Sequence, residues 1–165
     1  MENTSQEAKD GISFADLGLD EVVLKAVEAK GFTEPTPIQV LAIPRLLNGD
    51  ANVIAKARTG TGKTAAFGLP MVQELRADKQ CPRALVLVPT RELAVQVATE
   101  IESFRTEPWP RITTVYGGAS IVEQLRALKG GVEIVVGTPG RVIDHLERRS
   151  LDLSKIEYFI LDEAD

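Results

Sequence analysis

Cysteine occurs once in the 165 residues, as Cys81, and histidine once, as His145. An internal disulfide is therefore excluded, and no cluster of cysteine and histidine offers a zinc site. No run of about 18 apolar residues is present, nor a basic stretch leading into an apolar one at the amino terminus. Neither a membrane span nor a secretory signal is expected, and the expected compartment is the cytoplasm. Positive charge is not in excess either: 19 Lys and Arg against 24 Asp and Glu leave a net charge of −5. That balance argues against binding nucleic acid by bulk electrostatics. Any such contact must come from a few placed groups and helix ends.

What is present suits one globular domain. Hydrophobic residues at 44% and charged residues at 26% are ordinary values, and the length suffices for a sizeable core. Residues 1–11, MENTSQEAKDG, are polar and aperiodic and are expected to form a disordered tail. A helical region is expected over 12–50. Within it DEVVLKAVEAKG, 20–31, reads as a helix with Asp20 as N-cap and Gly31 as its stop, and Pro37 suits the first turn of a second helix, PIQVLAIPRLLNG. From 51 to 165 the chain alternates. Short apolar runs at 52–57, 84–88, 112–116, 132–136 and 157–161 are separated by helical patterns at about 63–76, 91–105, 119–129 and 140–149. Strands alternating with helices imply right-handed crossovers and a parallel sheet covered on both faces. In such a sheet the ligand lies beyond the carboxyl ends of the strands. There stand GTGKT, PTRE, the pair Gly117-Gly118, TPGR and DEAD, one after each successive strand.

The segment ARTGTGKT, 57–64, follows the apolar VIA and precedes AAFGLPMV. A tight loop from strand to helix turns successive backbone N–H groups inward, and the following helix aims its positive end at the same spot. Lys63 can reach terminal phosphates, and the Thr64 hydroxyl can join the coordination sphere of Mg²⁺. Ala57 stands where the general phosphate-loop pattern has its first glycine. The alternative is a flexible Gly-rich turn, but a lysine at a helix amino terminus is electrostatically misplaced unless an anion lies between.

Asp162-Glu163-Ala164-Asp165 follows the buried run YFIL. A carboxylate at the end of an apolar strand is costly unless a cation meets it. Mg²⁺ held jointly with nucleotide phosphates would do so, with Asp162 on the metal side and Glu163 placed to orient an attacking water. Taken alone, the same residues could be a solvated helix start. Upstream, GFTEPTPIQ at 31–39 brings together Phe32, a rigid Pro-Thr-Pro turn and Gln39. A glutamine amide has one donor end and one acceptor end, which matches the N6 and N7 edge of adenine but not that of guanine. Phe32 could pack on the purine. On spacing alone, a surface glutamine and a core phenylalanine are the simpler reading of the segment.

Together these segments resemble the DEAD-box family of ATP-dependent RNA helicases, from about residue 14 onward. GFTEPTPIQ is similar to the family's Q motif, with Phe14 in the place of its isolated upstream aromatic. ARTGTGKT is similar to the family's phosphate loop, which accounts for Ala57. PTREL at 89–93, Gly117-Gly118 and TPGR at 138–141 are similar to its RNA-backbone motifs. FADLGL and IPRLLNG look most like bacterial cold-shock-type members. The resemblance implies an α/β fold, a RecA-like parallel sheet of the P-loop NTPase type with helices on both faces. It implies ATP held by Phe14, Phe32, Pro37, Gln39, Arg58, Thr59, Gly60, Thr61, Gly62, Lys63 and Thr64, with Mg²⁺ on Thr64 and Asp162. Lys63, Asp162 and Glu163 would be catalytic. RNA, gripped by its backbone without regard to sequence, would meet Pro89, Thr90, Arg91, Gly117, Gly118, Thr138, Pro139, Gly140 and Arg141. Arg141 is expected to contact RNA or to lock a neighbouring loop.

The family's S-A-T motif and second RecA-like domain, with its arginine finger, do not appear in this chain. The chain is accordingly expected to be the first half of a helicase, truncated after the DEAD motif and nearly inactive by itself. In RecA-like sheets the S-A-T strand lies between the phosphate-loop strand and the DEAD strand, so two unpaired edges are expected in mid-sheet. Two other classes stay open: a P-loop ATPase acting on DNA or on no nucleic acid, and a nucleotide-dependent RNA-binding module without turnover. His145, the one histidine, has no sequence partner for a catalytic pair and is assigned to packing.

Overall fold

Each apolar run becomes a strand and each amphipathic stretch a helix. The computed structural model describes residues 11–49, 52–55 and 62–162, the strand at 52–55 by its backbone alone. The expected tail at 1–11 lies, but for Gly11, outside the described residues. A 3₁₀ turn at Phe14–Leu17 leads to α1 (Glu21–Ala29) and α2 (Pro37–Leu47). There follow β1 (Asn52–Ala55), α3 (Lys63–Glu74), β2 (Ala84–Leu87), α4 (Arg91–Ser103), β3 (Ile112–Val115), α5 (Ile121–Gly130), β4 (Ile134–Gly137), α6 (Pro139–Glu147) and β5 (Tyr158–Asp162). The helix starts obey local chemistry. Asp20 caps α1 by accepting from the Val23 N–H, and Thr36 caps α2 with Pro37 in its first turn.

The five strands form one sheet in the order β1-β5-β2-β4-β3, and every neighbouring pair is parallel. The expected gap between the phosphate-loop strand and the DEAD strand is absent. Asn52 to Ala55 of β1 pair directly with Phe159 to Asp162 of β5. The physical reason is the cost of leaving strand N–H and C=O groups without partners, which direct pairing removes.

Both faces of the sheet are covered. On one, Ala84, Val86, Ile134, Val136 and Ile160 join Phe67, Leu69 and Met71 of α3, Val97 and Ile101 of α4, and Phe104, which ends α4. On the other, Leu85, Val115 and Val135 meet Val142 of α6 and Leu151. The alternation along β4 shows why that strand is apolar throughout: Ile134 and Val136 serve one core, Val135 the other. Burying an aliphatic or aromatic side chain of this size contributes about 1.5–3 kcal/mol, so α3, which buries Phe67, Leu69, Met71 and Val72, is the best-anchored helix.

At the amino ends of the strands one carboxylate ties three chain segments together. Glu133, at the foot of β4, is fully buried. Its Oε1 accepts from the Arg111 backbone N–H at 2.9 Å, and its Oε2 from the Gln80 N–H at 2.9 Å and the Arg111 guanidinium at 3.0 Å. Arg111 precedes β3 and Gln80 precedes β2. Burial pushes the Glu133 carboxyl up, but the Arg111 guanidinium and these backbone donors outweigh it and hold the group below its ordinary value.

Candidate functional site

The described residues singled out at strand ends emerge on the same edge of the sheet, and the strand order sorts them into two groups. At the β1–β5 end, Gly62 caps α3 in the left-handed conformation, φ 78°. Lys63, the first residue of α3, is 7% exposed, and Asp162, the last of β5, is 4% exposed. Lys63 Nζ lies 2.6 Å from Asp162 Oδ1. Apart from this ion pair, that buried oxygen has no hydrogen-bond partner among the described residues. Thr64 follows half-buried in the first turn of α3. Arg58, Thr59, Gly60, Thr61 and Glu163 lie outside the described residues.

Gln39 is neither on the surface nor idle. It is 2% exposed, and the local pattern Thr36-Pro37-Ile38-Gln39 forms a capping box. Gln39 Oε1 accepts from the Thr36 N–H at 2.9 Å, while its Nε2 donates to the Gly62 carbonyl at 3.1 Å. A Cβ on Gly62 would overlap that amide nitrogen. The amide thereby joins the start of α2 to the start of α3, and among the described residues its second N–H and second lone pair meet no partner. Pro37 stands exposed beside it. Phe14 is buried and stacks on Phe32 with centroids 6.3 Å apart; Phe32 in turn meets Phe104 at 6.3 Å. Of the two rings, only the half-buried Phe32 is open to a purine.

The β2–β4–β3 end carries the other group. Pro89, Thr90 and Arg91 are exposed. Thr90 caps α4 by accepting from the Leu93 N–H at 3.3 Å, and the Arg91 guanidinium lies 5.0 Å above the Tyr116 ring. Gly117 and Gly118 form an exposed arch after β3, with Gly118 at φ 83°. Thr138 precedes α6 with no side-chain cap bond, and Pro139 and Gly140 are exposed in its first turn. Arg141 turns back toward the arch: its Nη1 donates to the Ala119 carbonyl at 3.4 Å and to Gln124 Oε1 at 3.1 Å. Of the two roles expected of Arg141, the loop lock is the one these bonds make.

A sequence profile described as DEAD/DEAH box helicase matches residues 36–165. The chain belongs to the DEAD/DEAH box helicase family. It is 52% identical over 157 residues to the ATP-dependent RNA helicase DeaD of Haemophilus influenzae, covering 94% of this chain and 25% of that protein. It is 49% identical over 154 residues to a probable ATP-dependent RNA helicase of Methanocaldococcus jannaschii, covering 93% and 41%. The crystal structure of a DEAD box protein from the hyperthermophile Methanococcus jannaschii superposes with a TM-score of 0.85 at 47% identity, over 92% of this chain and 41% of that one. The chain thus spans between a quarter and two fifths of the length of these relatives.

Two residues of this DEAD-box domain escape motif reading. Gln124 and His145 are both buried, His145 completely. Gln124 Nε2 donates to the Tyr116 carbonyl at 3.0 Å, and its Oε1 receives both Arg141 and His145 Nε2, the latter at 2.9 Å. His145 Nδ1 meets Ser150 Oγ at 2.8 Å. Burial, and then the neighbouring Arg141 charge, lower the basicity of the imidazole, so it is held neutral. The available signal was periodicity. Gln124 is spaced with Ile121 and Leu128 on the inward stripe of α5, and His145 follows Val142 on that of α6.

Proposed function

We propose that this domain binds ATP with Mg²⁺ at the β1–β5 end of its sheet edge and the backbone of single-stranded RNA along the β2–β4–β3 end. It would act as the first half of an ATP-dependent RNA helicase. The observation that carries the nucleotide half is the buried Lys63–Asp162 pair beside Gly62. A buried carboxylate oxygen outside any hydrogen bond is costly, and a metal ion at Asp162 would offset that cost. Lys63, at the amino end of α3, is placed to meet a phosphate there. The Asp162 oxygen, buried and outside any hydrogen bond among the described residues, together with the Thr64 hydroxyl, fits a hard cation that prefers oxygen ligands. When bound, Mg²⁺ would neutralise charge developing on the phosphates. Lys63 would then turn from Asp162 to the phosphates, Gln39 would hold Gly62 and present its remaining donor and acceptor to adenine, and Glu163 would orient water.

The RNA half is supported by placement. Thr90 and Thr138 begin helices at the strand ends, and the exposed Gly117–Gly118 arch lies by them, so hydroxyls and backbone N–H groups face one stretch of surface. Such contacts reach phosphates and carry no sequence information, which is compatible with an acidic chain. The relatives carry further sequence, and charge stabilisation opposite the phosphate loop, of the kind an arginine finger provides, is worth about 10³–10⁵ in rate. This chain alone would therefore turn over ATP negligibly.

Phosphate release by the intact protein tests the reading. It should rise on adding RNA of any sequence, not on adding DNA, and should vanish in Glu163→Gln. Equal stimulation by DNA, or turnover indifferent to nucleic acid, would favour a general P-loop ATPase. RNA binding without any phosphate release would favour a binding module.

A further inference from the structure

The buried polar cluster beneath the Gly117–Gly118 arch has only one consistent arrangement of donors and acceptors. The Tyr116 carbonyl can only accept, so the nitrogen of the Gln124 amide must face it. Guanidinium groups can only donate, so the amide oxygen must face Arg141. That same oxygen lies 2.9 Å from His145 Nε2, so the imidazole must carry its proton there. Nδ1 is left to accept from the Ser150 hydroxyl. On its own helix His145 faces the charges of Arg141, Asp144 and Arg148. From α5 it meets the neutral Gln124, and from the segment after α6 the neutral Ser150.

This arrangement grips the arch at both ends. Gln124 holds the carbonyl of Tyr116, the residue before Gly117, and Arg141 holds the carbonyl of Ala119, the residue after Gly118. We propose that Gln124 and His145 are positioning residues for RNA: by orienting Arg141 they clasp the Gly117–Gly118 arch between β3 and α5 in the shape that receives a phosphate. The inference rests on the RNA reading above, but none of its geometry does. His145 acts at one remove, since without its N–H the Gln124 oxygen keeps a single donor and the amide is free to swing. Tyr116 adds a second link, because Arg91 lies over its ring. Releasing the Tyr116 carbonyl therefore loosens a contact on the neighbouring β2 loop as well.

Binding of a fluorescent oligouridylate and of a non-hydrolysable ATP analogue to the intact protein separates the possibilities. His145→Phe keeps the ring and removes the N–H, whereas His145→Gln places an amide N–H near the position of Nε2. Gln124→Met keeps the volume and removes all three bonds. His145→Phe, which leaves the Gln124 oxygen with a single donor, should reduce RNA affinity about fivefold, and Gln124→Met, which removes all three of its bonds, by at least as much. His145→Gln should recover to within about twofold of the wild type, and affinity for the ATP analogue should be unchanged throughout. Wild-type RNA affinity in His145→Phe overturns the clasp. So do parallel losses of RNA and nucleotide affinity, which would mark a general structural role. If Gln124→Met fails to fold, the His145→Phe and His145→Gln comparison decides alone. An intact wild-type protein without affinity for the oligouridylate would overturn the RNA reading itself, and the clasp with it.

Discussion

Replacing Gln39 with alanine probes two functions of one amide, and nucleotide choice tells them apart. The first function is internal: Nε2 holds the Gly62 carbonyl and Oε1 the Thr36 N–H. Losing the tether to Gly62 frees the first residue of the α3 start, and one such bond is worth about 1 kcal/mol, or about fivefold in affinity for any nucleotide whose phosphates rest there. The second function is the pair with adenine, worth about 1–3 kcal/mol and unavailable to guanine. Adding the two, ATP should weaken roughly thirty- to several-hundredfold and GTP only about fivefold. Removing the partner of the half-buried Thr36 N–H should also cost about 1 kcal/mol of stability through the lost capping box. Calorimetric titration of the intact protein with both nucleotides gives the two losses directly. Equal losses would mean that the amide serves the loop alone and that adenine selection lies elsewhere. No loss for either would mean that the bond to Gly62 opens before nucleotide binds.

Glu133→Gln should lower stability at neutral pH by about 1–3 kcal/mol, since three donors lose a charged acceptor. Because the folded carboxyl lies below its ordinary value of 4.5, its contribution is present above that pH and is lost as pH falls below it toward the folded value. Urea midpoints measured across this range should fall steeply in the wild type and more gently in the variant; parallel curves would refute the assignment. Gly137→Ala should cost about 1–3 kcal/mol or more from overpacking. Its Cβ would stand 2.6 Å from both Val115 Cγ2 and Val142 Cγ2 and 2.9 Å from the Val115 carbonyl oxygen. An unchanged urea midpoint would show that β3 and α6 can part to admit a methyl group.

Glycine, proline and capping residues made most of the fold legible, since they fix where an element may begin or stop regardless of what surrounds it. Asp20 and Gly31 bracket α1 as expected, Pro37 opens α2, and β2 and β3 lie within a residue of their expected ends. The run at 132–136 starts two residues early because Glu133, polar yet fully buried, sits at the foot of β4 and not in it. Strand order was less legible. Direct pairing of β1 with β5 is decided by which edges meet in space, and nothing in either strand specifies its neighbour. At the site, the order of the motifs placed Lys63 and Asp162 on one edge. The bonds from Gln39 to Gly62 and from His145 to Gln124 were hidden because each spans more than twenty residues of sequence.

The Glu133 knot has a consequence for how the other edge of the sheet can vary. Alignment of β2, β3 and β4 is settled where these strands set out, by one carboxylate that bridges their three approaches. The segments that leave the strands at the far end take no part in that decision. They resemble fingers spread from a closed wrist: each can be lengthened, stiffened or re-aimed without disturbing the bones behind it. A substitution in those segments should therefore change what they hold without shifting the strands, whereas one at the foot of the sheet should shift all three together.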